Sequence, residues 1–545
     1  MKQITSFQKA IPSLGVALGF LLLCLFIQRS VGAADAAFFA YPDEPSHFIG
    51  SVMVRDYLAS GLSGNPYRFA QNYYSRYPFF AVGYWPPMFY ILTGLWLLVF
   101  GVGKFQALFI SAGAAAGMAW LLFSLVRKRA GSIAGCCAGL IFLSLTEVQY
   151  WTSAVMVDLL VGFFAMAAAV RLLSYMDRPS YPNAILCALC CGCATLTKYS
   201  GAYACLLPLA ACILLGRFSL LRKPSFLVLH AVIAGMVLPW VLWTSKLSEV
   251  GLPKEQRGAM VSRILPFLTE PFRLFPLALA VVVIIGLLAL LLTPRVWGAD
   301  IVVIALLFAG CVGLLLVSPV VGAERRYLFV ASASLLALSF AGWAALVERS
   351  AGLRAGAWAM PALAAILMVS IVPAQLLGRP RLPENLIRRA VKTIVENPAW
   401  AGKRILVAPD LEGPVIAEFA IQDRHRPGYT LLRPGKLFAD RDWMGGHYQS
   451  HFQSEGEMVD YLRQNPVDLI VWHRQAQVPL LAHQRFMEEM LEASDSSWHR
   501  VASFNSIDAS QPSWEIYESL LTLQNSEDTR PKPAPLLRLQ HPQEQ

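Results

Sequence analysis

The sequence predicts a polytopic α-helical membrane protein that carries a small α/β soluble domain at its C-terminal end. Three observations carry that expectation. Of 545 residues, 56% are hydrophobic and only 15% are charged, with a mean hydropathy of +0.50, outside the range of soluble globular chains. Apolar stretches long enough to cross a hydrocarbon core of ~30 Å recur from Ile11 to about Gln375, while Arg379 to Gln545 has ordinary soluble composition. The formal charge of +10 comes from Lys and Arg clustered in short loops beside apolar runs. That is a topology signal rather than a nucleic-acid footprint.

Candidate spans, in order, are Ile11–Ile27, Pro87–Val102, Phe105–Leu125, Gly131–Ser144, Ala154–Tyr175, Ala184–Thr197, Gly201–Gly216, Phe226–Thr244, Leu274–Leu292, Ile301–Val320, Tyr327–Leu346 and Ala357–Leu377. Lys2 and Lys9, the first apolar run and "VGAADA" together resemble a cleavable signal peptide. A retained first helix is the preferred reading, and both place Asp43 on the outer side. The positive-inside rule puts the loops at Arg127, Arg217, Arg295 and "ERSAGLR" in the cytoplasm, and those at Glu147, Lys246 to Arg273 and Glu324 outside. An outer Asp43 and a cytoplasmic Arg127 need an odd number of crossings, yet two candidate spans lie between them. Either the stretch after "YWPPMFYILTGLWLLVFG" is interfacial or re-entrant or the loop at Arg127 is not cytoplasmic; about 11 crossings with the soluble domain outside is the preferred reading, within a range of 11 to 13.

All ten cysteines fall in the apolar half, so no disulfide framework is indicated. Cys187, Cys190, Cys191 and Cys193 have metal-like spacing, but in an Ala/Leu/Gly-rich helix they read as packing residues.

The long first outer loop, 34–86, contains "YPDEPSHFIG". Asp43 or Glu44 can cap a helix with Pro45 at its first position, and Phe48, Ile49, Val52, Met53 and Tyr57 form one apolar face, as in a helix lying along a membrane surface. A spacing of four puts Asp43 and His47 on the same side. Asp158, within "SAVMVDLLVGFF", is a carboxylate in an otherwise apolar helix, costly unless it has a task. Lys198 in "TLTKYSG" and Arg325, Arg326 and Tyr327 in "GAERRYLFV" sit at outer helix ends, where single cations are often snorkelling anchors. Together these residues place carboxylates and cations on one membrane face, suited to an anionic headgroup and acid–base chemistry. Tyr84 and Trp85 can stack on a sugar or a prenyl chain, or form an interfacial belt.

In this order the motifs resemble the GT-C membrane glycosyltransferases, nearest the subgroup of protein O-mannosyltransferases and lipid A aminoarabinose transferases: an outer-loop "DE", a Pro-Pro pair, an acidic residue at a later outer helix end, "TKYSG" and "ERRYL". The resemblance spans roughly Ile11 to Leu377. It implies an inverting glycosyltransferase that moves a sugar from a polyprenyl-phosphate donor to a lipid, glycan or protein hydroxyl, on the extracytoplasmic side of a bacterial inner membrane. It makes Asp43 the general base, with Glu44 and Asp158 as the other catalytic carboxylates. Lys198, Arg325 and Arg326 would bind the donor phosphate, and Tyr84, Trp85 and Tyr327 would contact substrate. His47 departs from the family pattern. It is read either as an interfacial or hydrogen-bonding histidine or as a ligand, with Asp43 and Asp158, of a divalent cation. The rival class is a transporter or flippase of a lipid-linked saccharide, which would show internal repeats and polar groups near the bilayer midplane.

The domains expected from composition are 1–378, containing the loop 34–86, then 379–522 and a disordered tail 523–545. In 379–522, "RILVA", "GPVIAEFAIQD", "GYTLLR", "EGEMVDYLRQN", "DLIVWH" and "AHQRFMEEMLEAS" alternate strand and helix patterns, and no GxGxxG or Walker sequence supports a nucleotide site. Asp410 and Glu412 follow a strand end, where ligands often bind but loop acids are usually only solvated. The run "WMGGHYQSHF" is read as touching substrate or docking on the membrane half, and the domain as a whole is read as serving acceptor recognition.

Overall fold

The computed structural model describes residues 13–80, 83–245, 269–317, 324–350, 381–383, 385–408, 410–440, 447–474, 480–493, 497–505 and 513–520. The expected span 357–377, the tail 523–545, the basic start and the loop residues 246–268 lie outside the described residues, as do the first residues of "WMGGHYQSHF". The chain packs as two units: Met1–Ala34 with Gly83–Leu92 and Phe105–Arg381, and Asp35–Val82 with Thr93–Lys104 and Leu382–Gln545. This division cuts across the one drawn from composition, since most of the first outer loop packs with the C-terminal residues.

In the first unit, five helices among the described residues are long and apolar enough to cross a membrane: Ser13–Ser30, Lys104–Ser144, Asp158–Asp177, Pro224–Thr244 and Arg325–Arg349. Shorter apolar helices, including Tyr181–Thr197, Tyr199–Leu214 and Leu277–Leu291, accompany them. Lys104–Ser144 is broken at Gly131, whose φ of 87° and ψ of 167° are open only to glycine. This break separates the two spans expected on either side of "RKR". Trp120 Nε1 donates to the Ser13 carbonyl (3.1 Å), while Gln28 Nε2 donates to the Leu108 carbonyl (2.9 Å), so Ser13–Ser30 and the 105–130 arm run antiparallel. Arg127 thus lies near the start of the first helix and Leu108 near its end. Met88–Phe100, with 13 residues, is ~20 Å long, shorter than a hydrocarbon core of ~30 Å. Arg129 grips Asp300 through two hydrogen bonds (2.6 and 2.7 Å), which places the loop before Asp300 beside the "RKR" bend.

Close approach replaces hydrophobic contrast as the packing device here, since lipid is as apolar as the helices. Any Cβ at Gly342 would strike the Gly286 backbone where Leu277–Leu291 meets Phe329–Ser350. Cys187 and Cys191 are buried in Tyr181–Thr197, which packs on Asp158–Asp177 and Pro224–Thr244, and all ten cysteines are free thiols. This fits the packing reading.

In the second unit, β1 (Arg404–Leu406), β2 (Thr430–Leu432), β3 (Ala439–Asp440), β4 (Gln449–Ser450), β5 (Leu469–Arg474), β6 (Trp498–Phe504) and β7 (Ser513–Ser519) form two sheets. The larger has the order β2-β1-β5-β7-β6, parallel across β2, β1 and β5 and antiparallel thereafter. β3 and β4 pair as a short antiparallel ribbon. The helices Glu412–Gln422, Glu455–Gln464 and Ala482–Glu492 appear where the sequence pattern places them. Ile405, Leu406, Leu469, Ile470 and Val471 are fully buried, as expected of strands covered on both faces.

The first-loop helix forms as Glu44–Ala59, with Asp43 at its N-cap and Pro45 in its first turn. Its backbone at Asp43 is already helical and the Asp43 side chain makes no capping hydrogen bond. Phe48, Ile49 and Val52 are fully buried, and the helix packs against Glu412–Gln422. Its apolar face therefore meets protein, where a surface-lying helix was expected. Its neighbours on the chain are tied to the C-terminal residues as well. The Leu431 N–H donates to the Arg76 carbonyl (2.9 Å), Arg433 donates to the Pro78 carbonyl (3.0 Å) and lies over the Phe79 ring, and Tyr77 donates to Asp423 (2.6 Å). Gly413 leaves the space that Phe79 occupies.

Candidate active site

In the first unit, three chain segments far apart in sequence bring Asp158, Lys198, Arg326 and Tyr327 together. Asp158 opens helix Asp158–Asp177, where a carboxylate complements the exposed N–H groups of the first turn. Lys198 is the residue at which Tyr181–Thr197 stops, in extended conformation. Arg326 and Tyr327 lie in the 3-10 turn Arg325–Leu328 that leads into Phe329–Ser350. Lys198 Nζ donates to Asp158 Oδ1 at 2.7 Å, with the Asp158 side chain 2% exposed. The same ammonium lies 4.1 Å from the centroid of the Tyr327 ring. Arg326 covers that ring at 4.9 Å, hydrogen-bonds its hydroxyl at 2.9 Å, and approaches Trp151 at 5.6 Å. A small cleft opens here, lined by Asp158, Ser200, Tyr203, Cys311, Arg326 and Tyr327 with apolar neighbours.

The two adjacent arginines part company. Arg326 is buried (side chain 4% exposed) and pairs with Glu324 at 2.6 Å. Arg325, 48% exposed, reaches Glu147 and Glu270, each at 3.3 Å, and does not line the cleft. Of the expected phosphate ligands, Lys198 and Arg326 come together and Arg325 goes to a separate cluster. Tyr84 and Trp85 pack edge to face on each other at 5.6 Å, Tyr84 exposed and Trp85 half-buried, and neither lines the cleft. Trp151, Glu147, Glu270 and Glu324 were not singled out as site residues. An aromatic residue or a carboxylate at an outer loop end was the available signal, but such residues are common there.

In the second unit, Asp43, Glu44 and His47 occupy the first turn of Glu44–Ala59. Glu44 is fully buried, accepting from the Ala40 N–H at 3.1 Å and facing Lys104 Nζ at 3.6 Å. His47 is buried too, and its N–H donates to the Asp43 carbonyl. Among the described residues, no three His, Cys, Asp or Glu side chains are grouped as a metal site would require. Asp410 and Glu412 differ from solvated loop acids: Asp410 pairs with His473 at 2.7 Å, and the buried Glu412 accepts from Arg433 at 2.6 Å and from the Gly435 N–H at 2.7 Å. Burial pushes the Tyr77 hydroxyl well above the usual tyrosine range, and the Asp423 carboxylate beside it adds to the shift.

With this geometry described, comparison with known proteins decides the fold. The structure of ArnT from Cupriavidus metallidurans bound to undecaprenyl phosphate aligns over 92% of this chain and 97% of its own, with a TM-score of 0.51 at 13% identity. The apo form of the same protein gives a TM-score of 0.53 with the same coverage.

The fold is GT-C.

A third GT-C structure, the archaeal oligosaccharyltransferase AglB from Archaeoglobus fulgidus in complex with an inhibitory peptide and a dolichol-phosphate, aligns over 86% of this chain and 70% of its own, with a TM-score of 0.51 at 11% identity. The sequence model of the dolichyl-phosphate-mannose-protein mannosyltransferase family matches residues 85–243, a stretch that contains the paired Asp158 and Lys198. No curated protein matches the chain by sequence. At such identities the GT-C likeness speaks for the architecture, and the chemistry has to be argued from the side chains.

Proposed function

We propose that this chain is an inverting glycosyltransferase that moves a hexosyl or pentosyl group from a polyprenyl-phosphate donor to a hydroxyl of a lipid, glycan or protein acceptor. In this reading the membrane is a bacterial inner membrane, with the site and the C-terminal residues on the extracytoplasmic side. The observation that carries it is the cluster in which Lys198 and Arg326 converge on Tyr327 beside Asp158, next to a cleft that Asp158, Arg326 and Tyr327 line. The acceptor oxygen attacks the anomeric carbon as the bond from that carbon to the phosphate oxygen breaks, and the configuration inverts. The leaving phosphate gains charge, so cations fixed beforehand stabilise the transition state more than the ground state. Lys198 and Arg326 take that role, and Asp158 holds the Lys198 ammonium in place. Asp43 takes the proton from the acceptor hydroxyl, and Glu44 fixes the helix end that carries it.

Support also comes from the solved GT-C structures, whose bound molecules are undecaprenyl phosphate and dolichol-phosphate. The transporter reading asks for charged groups midway through the bilayer, whereas Asp158, Lys198 and Arg326 all sit at helix ends. The test is mass spectrometry of membrane lipids from a deletion strain complemented with wild type, Asp43→Asn or Lys198→Met. A polyprenyl-phosphate sugar is expected to accumulate with both variants and fall with wild type. Identical lipid profiles in all three strains would sink the proposal.

A further inference from the structure

Lys104 opens an apolar helix, and three physical arguments say it should not be there without a task. A cation at a helix N-terminus opposes the helix dipole. Its side chain is 2% exposed, and an ammonium taken out of water is costly unless fully paired. The sequence around it, "GVGKFQALF", offers no acid to pair with it. The answer comes from the first outer loop. Lys104 Nζ donates to the Ala37 carbonyl (2.9 Å) and the Ala36 carbonyl (3.2 Å) and forms an ion pair with the Glu44 carboxylate at 3.6 Å, with the Phe38 ring at 4.7 Å. Glu44 in turn accepts from the Ala40 N–H. One side chain therefore grips both ends of the segment 36–44, and Asp43 is part of what it grips.

We propose that Lys104, acting through Glu44 and the Ala36 and Ala37 carbonyls, is a positioning residue that fixes the segment presenting the Asp43 carboxylate. This rests on the reading of Asp43 as the base, and it assigns Glu44 to the tether rather than to contact with substrate. The segment 36–43 contains almost no regular structure, so these bonds replace the ladder that a helix or strand would supply. A slack tether leaves Asp43 chemically intact but displaced, and misplacement of about 1 Å costs on the order of 100-fold in rate.

The experiment uses the full chain in lipid nanodiscs, with Lys104→Met, Lys104→Met/Glu44→Gln and Asp43→Asn. The double variant removes the carboxylate that Lys104→Met alone would leave buried without its counter-ion, so it separates folding from positioning. The expected result is that the double variant unfolds at the temperature of wild type, exchanges the amides of 36–44 at least about tenfold faster, and loses on the order of 100-fold in kcat with the donor KM unchanged. Wild-type kcat in the double variant would show that Lys104 only neutralises Glu44, and unchanged amide exchange would show that no tether exists. Either overturns the inference while a dead Asp43→Asn keeps the reading of the base. An active Asp43→Asn removes that reading and the positioning role with it.

Discussion

Replacing Lys198 by methionine keeps the length of the side chain and deletes its charge. The ammonium and the Asp158 carboxylate are 2.7 Å apart, which at an effective dielectric near 20 corresponds to about 6 kcal/mol of gross attraction. Desolvation of two ions takes back several kcal/mol, so the intact pair adds little net stability. Severing it is different, because the buried Asp158 carboxylate would lose the ammonium that faces it, at a cost of about 3–5 kcal/mol. Lys198→Met should therefore lower the thermal unfolding temperature markedly, while Lys198→Met/Asp158→Asn should return it to within about 1 kcal/mol of wild type. Rate should not follow stability. The double variant still lacks the cation that meets the leaving phosphate, and loss of one such contact is worth about 3 kcal/mol, or roughly 100-fold in kcat. The assay pairs thermal unfolding in nanodiscs with mass-spectrometric measurement of sugar transfer from a polyprenyl-phosphate donor. A double variant that regains both stability and near-wild-type kcat would refute the assignment of Lys198 to the phosphate.

Gly131→Ala forces a Cβ into backbone geometry that only glycine tolerates and should cost about 1–3 kcal/mol, whereas Gly113→Ala, in open space within the same helix, should be neutral or slightly stabilising in the same melts. Tyr77→Phe removes the 2.6 Å bond to the Asp423 carboxylate, and denaturant unfolding should show a loss of about 1.5–3 kcal/mol. Because the folded-state pKa of Tyr77 is raised, its contribution is complete below about pH 10, the unfolded value, and is lost as pH climbs above it; the variant should lose less stability than wild type between neutral and strongly alkaline pH. Burial pushes the Glu515 carboxyl up, but hydrogen bonding from Tyr517 and the charges and hydrogen bonds of Arg474 and Arg500 outweigh it and hold the carboxyl below the usual range. Its contribution is present above about pH 4.3 and is lost as pH falls through the lower folded value, so Glu515→Gln should flatten the acid limb of the stability profile, read by circular dichroism.

Much of this architecture is local and was therefore legible. Long apolar runs form helices by local preference among the described residues, and the Asp-Glu-Pro start and Gly61 end of the first-loop helix fall where side-chain chemistry puts them. The alternating pattern from Arg404 onward likewise gives the strands and helices of the α/β sheet. The site was legible as a set of residue types and less so as an arrangement. Arg325 and Arg326 are neighbours with the same chemistry, and nothing in "ERRYL" says that one turns into a cleft and the other toward Glu147 and Glu270. Lys104 looks like any cation at the end of an apolar run until its acceptors are seen.

The amino-acid order thus fixed which stretches become helix or strand, where the chain bends, and which carboxylates and cations are available at helix ends. Folding in three dimensions chose the partners: Asp158 for Lys198, 40 residues away, and Asp423 for Tyr77, 346 residues away. The reason is physical. Helical periodicity and capping act over a few residues, so they can be read along the chain. Burial of a charge is settled by whichever group the packed helices bring within hydrogen-bond reach, and that distance has no counterpart in the sequence.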